Sequence, residues 1–135
     1  MTRKPSKPSK CPVSVNYHFT RRCNKACGFC FHTASSSHIE SLANMKQALA
    51  LLKDAGMRKI NFAGGEPFLY PNTLGQMVDY CEETLRLESV SIVTNGSKVT
   101  ERFLARHGCN IDILAVLCDS FNESVNVAIG RSSGN

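Results

Sequence analysis

Four apolar, β-branched runs, each followed by a segment with helical spacing, constrain this chain more than any other feature. "CPVSVNYHFT" (11–20) alternates apolar and polar residues, and "KINFAGG" (59–65) is a short apolar run ending in a double glycine. "SVSIVTNGS" (89–97) is β-branched and closed by Asn-Gly, and "IDILAVLCDS" (111–120) is near-continuously apolar. All four read as strands. Between the first two, apolar residues at 39, 42, 45, 48, 49, 51 and 52 predict a helix within 38–57, with Gly56 as its C-terminal cap. "TLGQMVDYCEETLRL" (73–87) predicts a second helix, "TERFLARHG" (100–108) a third that opens on a Thr100 cap, and "ESVNVAIG" (123–130) a fourth. Alternation of strand and helix requires right-handed crossovers and a parallel sheet. Function in such sheets gathers at the carboxyl ends of the strands. "RRCNKACGFC", "GGEP", "TNGS" and "CDS" all fall at that one edge.

Length and composition agree with one soluble domain. The chain has 135 residues, 42% hydrophobic and 20% charged, enough for a single core. No run approaches the roughly 18 apolar residues of a membrane span, and "MTRKPSKPSK" lacks the apolar centre of a secretory signal. Of the net charge of +5, four units come from Arg3, Lys4, Lys7 and Lys10 in that segment. Beyond it, twelve basic residues face eleven acidic ones. Residues 1–10 therefore read as a disordered, solvated basic tail, and 11–135 as the folded domain. Four cations without interleaved aromatics make a weak case for nucleic acid, and none is expected as a partner.

The seven cysteines are 11, 23, 27, 30, 81, 109 and 118. An odd count without a signal argues for a reducing compartment, and the cytoplasm is the expected location. Cys23, Cys27 and Cys30 form a tight C-x3-C-x2-C cluster with three readings. They lie on one helical face and are simply buried. They hold zinc, with His18 or His32 as a fourth ligand. Or three thiolates hold an iron–sulfur cluster. Asn24, Lys25 and Gly28 weaken the first reading, and the absence of paired C-x2-C units weakens the second.

C-x3-C-x2-C after the first strand of a parallel αβ sheet resembles the radical S-adenosylmethionine enzymes, down to the aromatic Phe29 before the last cysteine. The resemblance implies a 4Fe–4S cluster on Cys23, Cys27 and Cys30 whose open iron takes the amino and carboxylate groups of S-adenosylmethionine. Reductive cleavage then yields a 5′-deoxyadenosyl radical, so the cofactor carries the hard chemistry. "GGEP" resembles the superfamily motif for the methionyl amino group, with Gly64 and Gly65 permitting close backbone approach and Glu66 accepting from the ammonium. Phe29, Asn95 and Ser120 complete the cofactor set that the resemblance implies.

"SVNYHFTRRCNKACGFCFHT", "LLKDAGMRKINFAGGEPFL", "SVSIVTNGS" and "DILAVLCDSFNESVNVAIGR" resemble, more narrowly, the viperin-like radical enzymes, from about Val13 to the C-terminus. That family dehydrates a ribonucleoside triphosphate, CTP in animals, to its 3′-deoxy-3′,4′-didehydro form, an antiviral product. The resemblance places Asn16, Lys59 and Arg131 on the triphosphate, where fixed cationic donors suit the charge. It also implies a reductant protein and the cytosolic iron–sulfur assembly machinery as partners.

The fold this implies is a partial (βα) barrel of the radical S-adenosylmethionine type, cut to about four of its roughly six βα units. Leu117 stands where the family has serine, against the ribose of S-adenosylmethionine. Two alternatives stay open: a catalytically inactive cluster-binding remnant, and a radical enzyme for a different small molecule.

Overall fold

The computed structural model describes residues 11–31, 34 and 36–131. The tail 1–10 and His32 lie outside them. Strands β1 (Ser14–Thr20), β2 (Lys59–Gly64), β3 (Ser89–Thr94) and β4 (Ile113–Val116) form one sheet in the order β1-β2-β3-β4, and every neighbouring pair is parallel. Helices α1 (Leu42–Asp54), α2 (Pro71–Asp79), α3 (Glu101–His107) and α4 (Glu123–Ala128) follow the four strands in turn. This is the predicted alternation, an open four-stranded sheet that makes the partial α/β fold expected.

Local chemistry sets the element boundaries. α1 begins at Leu42, four residues after the start of the predicted span, because the Ser41 hydroxyl caps it by accepting from the Asn44 N–H at 3.2 Å. Glu40 stays outside the helix and accepts from Ser41 N–H and the Asn44 side chain. Those bonds, the Asn44 side chain's first, hold its carboxyl below the usual range. α1 ends where Gly56 takes a φ of +117°, the conformation expected of the residue after a helix. Thr100 caps α3 through the Phe103 N–H at 3.2 Å, as its sequence predicts. α2 does not run on regularly to Leu87. It widens into a π-helical turn over Tyr80–Thr84, closed by Leu85 N–H on Tyr80 C=O.

The sheet is two-faced. Ile60, Phe62, Val90 and Ile92 point to the helices and are buried with Met45, Leu49, Leu74, Met77, Val78 and Phe103. Phe62, at 0% exposure, makes tilted and edge contacts with Tyr17 and Phe19. The intervening positions carry Ser14, Asn16 and His18 on β1, Lys59 and Asn61 on β2, and Ser89 and Ser91 on β3. A parallel sheet covered on both faces is apolar throughout. This one is covered by helices on one side and presents a polar row on the other.

β4 is shorter than the run 111–120 and forms the sheet's last strand. Ile113 and Val116 are 57% and 55% exposed, and among the described residues no strand pairs with its outer edge. An open, apolar strand edge templates association. The chain should therefore associate as its concentration rises, measured by sedimentation. Ile113→Lys should shift the distribution toward monomer without lowering the unfolding midpoint.

Candidate functional site

The site begins where the backbone of β2 meets the exit of β1. Gly65 N–H donates to Thr20 C=O at 2.9 Å and Glu66 N–H to Arg22 C=O at 2.8 Å. Gly64 has a φ of +115°. A Cβ on Gly64 would overlap the Thr20 carbonyl oxygen, and one on Gly65 the Arg22 carbonyl. The double glycine thus permits a close backbone approach, and the partner it approaches here is the chain leading into the cysteines.

Glu66 is 1% exposed and fully engaged. Its Oε1 accepts from Phe68 N–H at 3.0 Å and from the Thr94 hydroxyl at 2.7 Å, and its Oε2 from Asn95 N–H at 2.8 Å. One carboxylate thereby starts the 3-10 turn Pro67–Leu69 and fixes the end of β3 against the end of β2. Asn95 carries the connection to the cysteine loop. Its Oδ1 accepts from Ser97 N–H, a group that can only donate, so its Nδ2 must face the other way. There it donates to Asn24 Oδ1 at 3.0 Å and to Cys23 Sγ at 3.8 Å.

Cys23, Cys27 and Cys30 line one cavity of about 280 Å³, together with Phe29, Gly64, Gly65, Glu66, Asn95, Leu117 and Arg131. Residues 23–30 form no helix, and Cys27 is 8% exposed while Cys30 is exposed. The shared helical face of the first reading is therefore absent. Among the described residues, no three His, Cys, Asp or Glu side chains come together closely enough to hold one metal ion. That arrangement does not suit tetrahedral zinc. A cluster spreads its thiolate ligands over separate irons and so asks for a wider spacing of sulfurs than one zinc ion does. The donor chemistry fits as well: three thiols line the cavity, against the His18 imidazole and a Glu66 carboxylate already hydrogen-bonded. The remaining cysteines lie elsewhere. Burial, helped by the Glu82 charge, pushes the Cys81 thiol up to about 12, which keeps it out of ligand chemistry.

A second cavity of about 440 Å³ shares Lys25, Asn95, Leu117 and Arg131 with the first and adds Cys118, Asp119 and Ser120. Ser120 thus falls beside the cysteine cavity rather than in it. Arg131 sits on the common wall. Its side chain is 12% exposed, its Nε is in ionic contact with Asp119 without meeting hydrogen-bond geometry, and its guanidinium lies 5.7 Å from the Phe29 ring centre. Asn16 and Lys59 line neither cavity. They stand on the polar face of the sheet, where Asn61 Nδ2 donates to Asn16 Oδ1 at 3.0 Å. Sequence reasoning missed Asn24, Asn61, Ser91 and Thr94. For Asn61 and Ser91 the signal was present, as polar residues at alternate positions of otherwise apolar strands.

The comparisons with known proteins agree with this geometry. Residues 17–135 match the model of the Radical SAM superfamily, and the chain belongs to that superfamily. Its members are built around a 4Fe–4S cluster and S-adenosylmethionine. Within it, the chain is 54% identical over 125 residues to the S-adenosylmethionine-dependent nucleotide dehydratase RSAD2 of Siniperca chuatsi, covering 91% of this chain and 35% of that protein. It is 54% identical over 129 residues to RSAD2 of Danio rerio, covering 94% and 36%. An S-adenosylmethionine-dependent nucleotide dehydratase of a Thermoplasmatales archaeon is 37% identical over 121 residues, covering 90% and 43%. The chain therefore spans well under half the length of these relatives. In fold it is similar to Streptococcus suis SuiB bound to S-adenosylmethionine, with a TM-score of 0.75, 21% identity, and coverage of 87% of this chain and 28% of that one.

The wiring of Glu66 generates a stability test. In Glu66→Gln an amide NH2 must face one of three donors that now point at a carboxylate. Loss of a buried, charge-assisted acceptor costs about 1–3 kcal/mol. Urea unfolding should show that loss in the apoprotein. No change would mean that the carboxylate serves only a bound molecule.

Proposed function

We propose that this chain is the cluster- and S-adenosylmethionine-binding part of a viperin-like nucleotide dehydratase. The observation that supports this reading best is the single cavity collecting Cys23, Cys27 and Cys30 with Gly64, Gly65, Glu66 and Asn95. In this reading the three thiolates hold a 4Fe–4S cluster. When bound, the cluster and S-adenosylmethionine would supply the one-electron and hydrogen-abstracting chemistry that the dehydration of a nucleotide needs. Phe29 gives the cavity an apolar wall beside Cys30. Ser120 and Asn95 belong to the cofactor's nucleoside end, along the second cavity.

The substrate of this reading is a ribonucleoside triphosphate, with CTP first among them. Asn16 and Lys59 offer an amide and a cation on the polar sheet face, the chemistry a triphosphate requires. Arg131 is already paired with Asp119, so a phosphate reaching it must share or displace that carboxylate. A reductant protein and the cytosolic iron–sulfur assembly machinery are the partners, and the cytoplasm the location. Among the described residues no helix is long and apolar enough to cross a membrane.

Leu117 favours a second reading, a cluster-binding remnant without turnover. It lines both cavities and offers no hydrogen bond where the family places a serine.

Anaerobic reconstitution tests the proposal. The protein should turn brown and take up iron, and Ala at Cys23, Cys27 or Cys30 should abolish both. Ala at Cys11, Cys81 or Cys109 should leave them intact. Zinc uptake in place of iron would overturn the cluster assignment. Lys59→Ala should weaken CTP binding about tenfold, as expected for one lost charge-assisted contact, with iron content unchanged. Loading with iron but no CTP affinity and no 5′-deoxyadenosine would favour the remnant.

A further inference from the structure

The cysteine loop has little structure of its own. Within or beside it the backbone makes only scattered bonds, such as Cys23 N–H to Ala34 C=O and Cys30 N–H to Cys27 C=O. Two further amides are satisfied from far along the chain. Ala26 N–H donates to Gly130 C=O at 3.1 Å, and Gly28 N–H to Ile129 C=O at 3.2 Å. These carbonyls lie just past the last residue of α4, where helix ends leave C=O groups without intrahelical partners.

The contact is close and specific. Gly130 has a φ of +88°, and a Cβ there would overlap the Ala26 carbonyl and lie 3.0 Å from Cys27 N. Beside it, the Arg131 guanidinium packs over Phe29. α4 itself contributes no buried residue to the core. Its docking onto the loop therefore does little for the domain's overall stability.

We propose that the turn closing α4, Ile129–Gly130–Arg131, is the positioning element of the cysteine loop, fixing Cys27 and Phe29 against the cavity. Gly130 is the residue that permits it. A side chain at this position pushes the turn off the loop, and Ala26 and Gly28 lose their acceptors. The loop then pays an added ordering cost whenever its thiolates are gathered. The iron arm of the test below rests on the cluster assignment above, whereas the exchange arm does not.

The experiment is hydrogen exchange on the full chain, wild type against Gly130→Val and the milder Gly130→Ala, followed by reconstitution at limiting iron. Exchange at the Ala26 and Gly28 amides should quicken about tenfold, with the amides of Phe62 and Ile92 unchanged. Iron affinity should fall about tenfold, the size seen when groups that orient metal ligands are lost. Val127→Ser, on the exposed side of α4, should change neither. Unaltered exchange at Ala26 and Gly28 in both Gly130 variants would overturn the proposal. So would a uniform acceleration that includes Phe62 and Ile92, because Gly130 would then serve the fold as a whole. A wild-type chain that takes up no iron would defeat the cluster assignment and leave the exchange result to decide the role of Gly130.

Discussion

Two backbone hydrogen bonds hold this site in register, from Gly65 N–H to Thr20 C=O and from Glu66 N–H to Arg22 C=O. They carry the β1–β2 pairing past the end of the strands and onto the first residues of the cysteine loop. A register shift between His18 and Thr20 lets the two chains cross this junction. Glycine at 64 and 65 is the condition for the approach, since any Cβ there would meet a carbonyl. Once the junction is made, Glu66 is aimed inward at the end of β3. Two of its three donors come from Thr94 and Asn95, which it fixes, and Asn95 reaches back to Cys23. The site is thus a closed circuit of contacts that starts and ends on the cysteine loop.

The two faces of the sheet divide the work. The helical side carries the burial, where large apolar side chains such as Phe62 each contribute about 1.5–3 kcal/mol. The other side is an ordered polar surface. The Ser91 hydroxyl lies within hydrogen-bond reach of Ile60 C=O and of the Asn61 side chain, and the Asn61 side chain bonds in turn to that of Asn16. This relay ties the Asn16 side chain to β2 and β3 across the polar face. On the proposed reading, Asn16 and Lys59 offer an amide and a cation to the substrate's oxygens from this one face.

The order of elements was legible from the sequence because period-2 and period-3.6 patterns alternate cleanly, and because Gly56 and Thr100 act through local backbone chemistry. The start of α1 was not, because it rests on which side chain takes the Asn44 N–H: the Ser41 hydroxyl does, while Glu40 accepts from Ser41 N–H and the Asn44 side chain and stays outside. The widening of α2 at Tyr80 left no mark that a helical pattern could show. In the site, the cysteines and the double glycine were legible from spacing. The pairing of Arg131 with Asp119 and the displacement of Ser120 to a second cavity were not, because both depend on how the chain turns after β4. Asn24 was equally hidden, since its partners Asn95 and Ser97 lie more than seventy residues away.

That distance follows from the chemistry the loop is proposed to perform. A helix over 23–30 would satisfy its own amides, but it would set all three sulfurs on one narrow face. Spreading them around a cavity requires irregular backbone, and irregular backbone leaves N–H groups that must find partners elsewhere. The partners here come from three directions: Ala34 for Cys23, the end of α4 for Ala26 and Gly28, and Cys27 for Cys30. Two of these bonds come from the end of α4, an element remote in sequence that follows the last strand of the parallel sheet. A fold that brings its strand ends to one edge supplies this support, which a stand-alone C-x3-C-x2-C peptide would lack.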